Sequence, residues 1–437
     1  MDTTHVFRLR FLCLVVTFTA ALCSVVAQEA VLRVDSERLL GSLKRLAEFG
    51  RTVEGGVTRV AFSPADVEAR SYVQGLLREA GLSVTVDAAG NIVARREGTA
   101  ELPPIMIGSH IDSVPMGGNY DGQVGAMAAV EVARVLAGAK TELRHPLEVV
   151  VFSNEENGKT GSRAMAGEVE SRELVLTTHA GVTIGEGMRV IGGDPARLSG
   201  VRRVRGDVAV FLELHIEQGA VLEAAEIPIG IVEGIVGIRR WNVSFIGFAN
   251  HAGTTPMTQR RDALVAAASF VVAVHETAKR MEGRQVATVG QIEAVPGAAN
   301  VIPGRVELSL EIRDLSMGKI DDVFAVLREE GQKIATDTRT SFAAEPYYIS
   351  YAAPTDERVR RLIERGADAL GFAHRRMPSG AGHDAQSIAQ FAPIGMIFVP
   401  SVAGISHSPR EHSTPEDILA GANLLLRSVL LADRDDW

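Results

Sequence analysis

The spacing of hydrophobic positions predicts strands that alternate with helices in the first and last parts of the chain. Leu147–Phe152 and Val208–Leu214 each hold one charged position inside an apolar run, which is typical of strands buried on both faces. Small and apolar residues extend over Gly122–Ala137, which indicates a helix, and Ser63 can cap another helix that Gly81 ends. This alternation indicates an α/β fold with a mainly parallel sheet.

Other elements follow from the same criteria. Further helices are predicted over residues 37–49, 64–80, 357–370 and 415–431, and further strands over residues 82–86, 92–94, 104–108 and 394–399. We expect these elements to form one larger domain, the catalytic domain, from residues 28–229 and 346–437.

The middle of the chain has a different pattern. Trp241, Val243 and Phe245 alternate with polar residues, as in a half-buried strand. The predicted order is strand, helix, strand, strand, helix, strand, over residues 241–245, 262–280, 287–293, 305–313, 319–336 and 347–351. This is the ferredoxin-like order. We expect it to form a compact inserted α+β domain over residues 230–345.

The first residues have the three parts of a secretory signal peptide. Arg8 and Arg10 precede an uncharged apolar run over residues 11–21, and small residues at 25–27 offer a cleavage site. We therefore expect export, to a bacterial periplasm or a secretory lumen, after removal of residues 1–27. An uncleaved membrane anchor is the alternative, but the apolar run is at the low edge of the length that spans a bilayer.

Composition excludes several classes of function. The chain has 437 residues, 45 Lys and Arg against 54 Asp and Glu, and a net charge of −9, so a nucleic-acid partner is disfavoured. Hydrophobic residues make up 46% of the chain, which excludes a disordered protein. Both cysteines, Cys13 and Cys23, lie in the predicted signal peptide, so thiol nucleophiles and thiolate metal ligands are excluded from the mature chain.

His and carboxylate residues cluster after the predicted strands. Sites in parallel sheets form at the carboxyl ends of strands, so we expect these residues to meet. They are His110, Asp112, Asp121, Glu155, Glu156, His215 and His407. Each residue alone is weak evidence for a functional site, because a lone His is more often structural and an adjacent Glu pair more often lies in a solvated turn. Their common placement in one α/β scaffold indicates a shared site.

The donor set indicates metal binding. Imidazole and carboxylate ligands without thiolate suit zinc, manganese, cobalt or nickel. Three His and several carboxylates fit two metals that share a carboxylate, about 3.5–4 Å apart. Asp112 could hold the His110 ring through its second nitrogen. Of Glu155 and Glu156, one can bind metal while the other accepts protons.

Five motifs carry a resemblance to a known family over essentially the whole mature chain. They are Glu213–Gly219 (ELHIEQG), His251–Met257 (HAGTTPM), Asn300–Arg305 (NVIPGR), Ser379–Gln386 (SGAGHDAQ) and Gly404–Pro409 (GISHSP). The sequence resembles the two-metal hydrolases of the M20 peptidase superfamily. It is most similar to the hydantoinase/carbamoylase branch, which holds N-carbamoyl-L-amino-acid hydrolases, allantoate amidohydrolases and β-ureidopropionases. Two segments depart from this branch, residues 157–163 and 185–205, and both are expected near the pocket.

The resemblance implies two divalent metal ions per subunit, zinc or manganese, with cobalt or nickel as alternatives. The implied ligands are His110, Asp121 and His215 for one ion, and Asp121, Glu156 and His407 for the other. Glu155 would be the general base. His383 and His412 are competing ligand candidates that fit the family motif less well than His407.

The resemblance also implies substrate contacts and a partner. The contacts would be Gln218, His251, Asn300, Arg313, Gly380, Ala381, Gly382 and His383. In such enzymes the inserted domain forms a homodimer, and its His and Asn serve the neighbouring active site. The residues themselves are compatible with these roles, since Arg313 suits a carboxylate and His251 an oxyanion. A surface ion pair for Arg313, a locally bonded loop His251 and a turn role for Asn300 remain alternatives.

The expected reaction is hydrolysis of a linear C–N amide bond in a ureido or carbamoyl group. The expected substrate is an N-carbamoyl-L-amino acid, which would give the amino acid, ammonia and carbon dioxide. Allantoate is the second candidate substrate, and an N-acyl amino acid or a dipeptide is the third. A non-catalytic binding protein on the same fold is the alternative of another class, and it would need a broken metal set.

Overall fold

Among the described residues there are two large β-sheets and a two-stranded ribbon, and the larger sheet provides the framework of this protein. A computed structural model describes residues 32–437 of the chain, and Val34–Trp437 form one compact unit. The predicted signal peptide and both cysteines lie outside the described residues. No helix within residues 32–437 is long and apolar enough to cross a membrane.

The strands and helices are as follows. The strands are β1 (Ser83–Val86), β2 (Ile92–Arg96), β3 (Ile105–His110), β4 (Leu147–Phe152), β5 (Val210–Ile216), β6 (Ile229–Ile235), β7 (Gly237–Ile246), β8 (Asn250–His251), β9 (Val286–Val295), β10 (Val301–Ile302), β11 (Arg305–Asp314), β12 (Ser341–Ser350), β13 (Ala353–Pro354), β14 (His374–Ser379) and β15 (Ile394–Val399). The helices are α1 (Ser36–Leu46), α2 (Pro64–Glu79), α3 (Gln123–Gly138), α4 (Thr160–Ala166), α5 (Ile184–Val190), α6 (Val221–Ala225), α7 (Ala263–Arg280), α8 (Met317–Thr338), α9 (Glu357–Leu370), α10 (Ala385–Ile388) and α11 (Pro415–Ala432).

The larger sheet has the order β1-β2-β4-β3-β5-β15-β6-β13, with β14 also paired to β6. Its four central strands, β4, β3, β5 and β15, run parallel and are buried throughout. Helices α3 and α11 pack on one face of these strands, while α4 and α10 pack together near β4, β5 and β15. The expected α/β fold with a mainly parallel central sheet is confirmed. Parallel order brings the carboxyl ends of the central strands to one edge.

The smaller sheet has the order β12-β7-β11-β9, and all of its strands are antiparallel. Together with α7 and α8 it has the predicted β-α-β-β-α-β order. Its own core contains Phe245, Phe270 and Leu310, and Trp241 stacks on Phe324 with ring centroids 4.1 Å apart. Apolar positions of β7 and β11 therefore face the two helices, as their alternation predicts.

Several element bounds differ from the sequence-based expectations. Strands β3 and β5 continue to His110 and Ile216, so two predicted ligands lie on strands rather than after them. Strand β12 begins at Ser341, six positions before the predicted start. Strands β6 and β14 had no counterpart among the expected elements; β6 belongs to the larger sheet and lies just before the smaller one. The division of the chain into domains at residues 230 and 345 stays a prediction.

Candidate active site and metal centre

The predicted metal ligands meet at the carboxyl edge of the central strands. His110 is the last residue of β3, and His215 is the last but one of β5. Glu156 follows β4, and Asp121 precedes the first turn of α3. His407 lies beyond β15 in a backbone conformation with φ +53°. A non-glycine residue in this region is uncommon, and such residues cluster at functional sites.

The Asp121 carboxylate lies between two groups of ligands. Its Oδ1 is 3.1 Å from His215 Nε2 and 3.7 Å from His110 Nε2. Its Oδ2 is 3.1 Å from His407 Nε2, which is itself 3.6 Å from a carboxylate oxygen of Glu156. Each oxygen of one carboxylate thus faces its own pair of side chains. This arrangement is compatible with the binding of divalent metal on both sides of the carboxylate.

These residues fit a pair of divalent cations. The ligand atoms of His110, Asp121 and His215 lie within 4.8 Å of one another, and so do those of Asp121, Glu156 and His407. The buried Nε2 of His215 has no hydrogen-bond partner among the described residues. An unpartnered buried nitrogen that faces a carboxylate oxygen is a free metal ligand.

Backbone carbonyl groups set the tautomers of two of these rings. His110 Nδ1 lies 3.0 Å from the carbonyl oxygen of Asp112, and His215 Nδ1 lies 2.9 Å from that of Ile216. A carbonyl oxygen can only accept, so Nδ1 carries the proton in both rings. Each Nε2 therefore directs its lone pair toward Asp121.

The Asp112 side chain differs from its expected role. Its carboxylate does not hold the His110 ring, since the nearest oxygen is 3.7 Å from Nδ1 and the backbone carbonyl makes the bond instead. The carboxylate accepts hydrogen bonds from the backbone N–H groups of Glu155 (3.3 Å) and Glu156 (3.1 Å). Asp112 therefore positions both glutamates at the end of β4.

Burial and mutual repulsion dominate the electrostatics of the site. Burial raises the pKa of Glu155 to about 7, and burial together with the charge of Asp121 raises the pKa of Glu156 well above its usual value. Burial also opposes ionisation of Asp121, but in the absence of metal the rings of His110, His215 and His407 can each take a second proton, and their hydrogen bonds then outweigh burial and hold the pKa of Asp121 well below the ordinary value. Such crowding of carboxylates favours the binding of cations.

Glu411 is a residue of the site that sequence reasoning missed. One of its carboxylate oxygens accepts the backbone N–H groups of Tyr120 and Asp121, and the other accepts the Ser406 hydroxyl and the N–H of His407. The side chain is buried, so these bonds join the loops that carry two ligands of the site. Its position four residues after His407 was the only signal in the sequence.

The side chain of Gln218 contacts Asp121, a residue shared by both ligand groups. Its side-chain nitrogen donates to Asp121 Oδ2 at 2.5 Å and to Ser406 Oγ at 3.3 Å, and its backbone has φ +58°. These bonds hold the Asp121 carboxylate in its orientation. The predicted role of Gln218 in substrate binding stays a prediction.

The structure brings Arg313 to the predicted substrate loop. Its guanidinium donates to the carbonyl oxygen of Gly380 at 2.7 Å and to Glu311 at 2.7 Å. Within this loop Gly380 is exposed, and Ala381 donates its N–H to Ser379. A side chain of the smaller sheet therefore reaches the loop that follows β14.

His383 is buried behind the metal ligands. Its ring packs edge-on against His215, with centroids 4.4 Å apart, and its Nε2 lies 2.7 Å from the Ser379 hydroxyl. Glu213, His215 and His383 also lie close enough to share an ion, but Glu213 accepts bonds from Ser109 and Ala385. His383 thus supports the ligand ring.

His251 and Asn300 contact their own loops in this chain. His251 lies on β8, Asn300 directly precedes β10, and the Asn300 carbonyl accepts the N–H of Ala252. His251 is exposed, and its Nδ1 accepts the backbone N–H groups of Gly253 (3.0 Å) and Thr254 (3.1 Å). Nδ1 is therefore unprotonated in the neutral ring, and the exposed Nε2 carries a hydrogen that can be donated.

The segment after Glu156 contains a half-buried lysine. Lys159 has φ +54°, and its ammonium group donates to the side-chain oxygen of Gln386. The Gln386 amide in turn donates to Ser350 Oγ at 3.1 Å and to the Tyr351 carbonyl at 2.6 Å. Gln386 therefore links this atypical segment to residues 350 and 351, where the chain leaves the smaller sheet.

His412, the competing ligand candidate, lies outside the cluster. Its Nδ1 is 3.0 Å from the hydroxyl of Tyr120, and it belongs to neither ligand group among the described residues. His407 lies in the second group instead.

Comparison with known proteins identifies the family. Residues 106–431 match Peptidase family M20/M25/M40. The chain belongs to this family of hydrolases. It is 42% identical to an N-carbamoyl-L-amino acid amidohydrolase of Geobacillus stearothermophilus, over 91% of this chain and 98% of that protein. It is 36% identical to a ureidoglycolate hydrolase of Arabidopsis thaliana, over 90% of this chain and 86% of that protein.

A solved structure agrees with this assignment. An amidase of the hydantoinase/carbamoylase family from Burkholderia multivorans superposes with a TM-score of 0.85 and 37% identity, covering 93% of this chain and all of that one. The predicted family and its hydantoinase/carbamoylase branch are confirmed. As a member of the M20 family, the chain is an enzyme, and the expectation of a non-catalytic protein is not supported.

Proposed function

We propose that this M20-family hydrolase cleaves the ureido C–N bond of an N-carbamoyl-L-amino acid and releases the amino acid, ammonia and carbon dioxide. The observation that carries the proposal is the Asp121 carboxylate, whose two oxygens face separate ligand groups beside a buried glutamate. Similarity to amidohydrolases named for this substrate class supports it.

Two divalent ions, when bound by the two ligand groups, would polarise the ureido carbonyl and lower the pKa of a water molecule. We assign zinc or manganese to these positions, with cobalt or nickel as alternatives that the same donors accept. The remaining chemistry belongs to side chains of the chain itself.

Glu155 is the proposed proton carrier. Its carboxylate lies 3.8 Å from His110 Nε2, at the edge of the first ligand group. Glu155 itself belongs to neither ligand group. As water forms the new C–O bond, Glu155 accepts the proton that water loses. It then delivers that proton to the leaving nitrogen as the C–N bond breaks.

Arg313 and the loop after β14 are the proposed site for the substrate carboxylate. A guanidinium matches a carboxylate with two parallel hydrogen bonds. Gly380 lies beside it, and a Cβ added there would meet open space, so nothing crowds the approach of a ligand.

We further propose a homodimer in which His251 and Asn300 serve the partner's site. His251 presents its Nε2 hydrogen away from its own loop, as a donor to a developing oxyanion requires. Helix α7, which packs on the smaller sheet, exposes Val265 and Val272. These side chains support a further apolar contact between the two subunits. We also propose that the protein is exported after removal of residues 1–27.

The test is ammonia release by the purified protein after loading with zinc or manganese. N-carbamoyl-L-amino acids are offered in parallel with allantoate, ureidoglycolate, N-acetyl amino acids and dipeptides. Glu155→Gln is expected to lower kcat about 10²–10⁴-fold with metal content unchanged. Glu142→Gln, an exposed carboxylate, is the matched control. Turnover of allantoate, N-acetyl amino acids or dipeptides in place of carbamoyl compounds would contradict the proposed substrate.

A further inference from the structure

A cavity beside the proposed active site is lined by three guanidinium groups. It has a volume of about 540 Å³ and lies next to Gln218 and Gly380. Arg313 reaches it from β11 of the smaller sheet, and Arg284 from the segment between α7 and β9. Arg375 reaches it from β14 of the larger sheet. The cavity is therefore cationic and continuous with the proposed substrate loop.

The three arginines differ in whether their guanidinium groups already have hydrogen-bond or ion-pair partners. Arg313 donates to Glu311 and Gly380, and Arg284 pairs with Glu233 at 2.6 Å. The Arg375 side chain has neither a hydrogen bond nor an ion pair with any residue from 32 to 437. Its charge is free for a ligand.

The one carboxylate in the lining cannot serve Arg375. Both oxygens of Glu217 accept hydrogen bonds from backbone N–H groups at the start of α6, from Val221 at 2.7 Å and Leu222 at 2.8 Å. Glu217 is buried and directed toward that helix. Arg375 therefore has no carboxylate partner within the lining.

Apart from Gln218, the rest of the lining consists of apolar residues and glycines. Val221, Met377 and Pro378 offer a surface on which one or two methylene groups can pack. On β14, Arg375 and Met377 are two positions apart, so they lie on the same face of the strand. A short aliphatic stem that ends in an anion fits this combination of apolar surface and free guanidinium.

We infer that this cavity takes the side chain of an acidic substrate, so that the preferred ureido acids carry a second carboxylate, as N-carbamoyl-L-glutamate and N-carbamoyl-L-aspartate do. Arg375 binds that carboxylate, and Arg284 adds to the positive field. This inference rests on the proposed function and deepens it, since Arg313 and Gly380 bind the first carboxylate.

The test compares N-carbamoyl-L-glutamate with N-carbamoyl-L-glutamine, which has the same shape and no side-chain charge. We expect kcat/KM to favour the glutamate compound about tenfold to hundredfold, as a charge-assisted hydrogen bond does, mainly through KM. Arg375→Gln should remove most of this preference, measured as the ratio of the two kcat/KM values. Arg375→Glu should reverse it.

Arg376→Gln is the matched control. Arg376 is the next residue on β14 and carries the same charge, but its side chain pairs with Glu357 and Glu364 outside the cavity. Arg376→Gln should leave the preference for the glutamate compound unchanged. An equal loss in Arg375→Gln and Arg376→Gln would overturn the inference, because the effect would then follow net charge.

A binding measurement separates this inference from the proposed function. Glu155→Gln should bind the glutamate compound about tenfold or more tightly than the glutamine compound in calorimetry, and Glu155→Gln with Arg375→Gln should bind both equally. Hydrolysis of both compounds at equal kcat/KM would overturn the inference and leave the proposed function standing. Equal dissociation constants in Glu155→Gln would overturn it whether or not any ureido compound is hydrolysed.

Discussion

Glu411 and Asp121 are joined by a hydrogen bond from the backbone N–H of Asp121 to the Glu411 carboxylate, 3.1 Å long, across 290 positions of sequence. The same carboxylate accepts the N–H of His407 with its other oxygen, at 3.2 Å. One buried side chain therefore sets the distance between a proposed bridging ligand and a ligand of the second ion. Hydrogen bonds that position metal ligands affect metal affinity in addition to the ligands themselves.

Glu411→Gln tests this relationship. The amide has nearly the same shape, but its NH₂ group would face the N–H groups of Tyr120 and Asp121 in one orientation, and the N–H of His407 with the Ser406 hydroxyl in the other. We expect metal affinity to fall about 10–100-fold, measured by competition with a chelator. Glu416→Gln, which alters an exposed carboxylate in the first turn of α11, should change nothing. Unchanged affinity in Glu411→Gln would show that the loops keep their positions without this residue.

Gly122→Ala tests how tightly the first ligand group is packed. Gly122 has φ +75°, and a Cβ there would lie 2.3 Å from His110 Nε2, the nitrogen that faces Asp121. We expect loss of about one metal ion per subunit with the far-UV circular dichroism spectrum retained, because the displaced ring belongs to one ligand group. Gly138→Ala, at the other end of α3, meets nothing within 4 Å and serves as the control. Full metal content in Gly122→Ala would contradict the assignment of His110.

Mixing two inactive variants tests the proposed dimer. His251→Ala should lack the oxyanion donor and Glu155→Gln the proton carrier, so each is expected to be nearly inactive alone. If His251 serves the partner's site, a mixed dimer holds one complete site. Unfolding and refolding an equal mixture should then restore about a quarter of the wild-type activity. No recovery, with mixed dimers demonstrated by mass, would place His251 in its own subunit's site.

We expect Asp66 to make the free energy of unfolding depend on pH. This buried carboxyl in the first turn of α2 accepts the N–H of Phe62 at 2.8 Å, and burial raises its pKa from 3.8 to about 6. A raised carboxyl pKa means that the folded state binds the proton more tightly than the unfolded state. Stability from this group is therefore present at low pH and is lost as pH rises from about 4 to 6.

Asp66→Asn should remove that dependence. Relative to wild type, the free energy of unfolding of the variant should rise by about 1 kcal/mol between pH 5 and pH 7, measured by urea denaturation at both values. Glu68→Gln, an exposed position on the same helix, should keep the wild-type dependence. A constant difference between Asp66→Asn and wild type would show that the Asp66 pKa is not raised.

Local sequence determined the elements and the types of residue in the site. Helices and strands followed from hydrophobic spacing because each face of an element meets one environment, and Leu147–Phe152, Glu357–Leu370 and Ile394–Val399 have their predicted bounds. Hydrophobic spacing placed the His and carboxylate residues near strand ends and a helix start, whereas the division into two proposed ligand groups was implied by the resemblance of short motifs to a known family. Strand β6 was missed because its position beside β15, β14 and β13 is made by residues distant in sequence.

Only the tertiary structure decided which groups face one another. Whether the carbonyl or the carboxylate of Asp112 holds His110 depends on the turn after β3, and Glu411 reaches Asp121 because two distant loops meet at one sheet edge. The free charge of Arg375 beside Val221 and Met377 likewise exists only where β14 passes α6. Sequence pattern records the local preferences of the backbone, whereas hydrogen bonds and charge pairs between distant segments depend on the packing of the whole sheet.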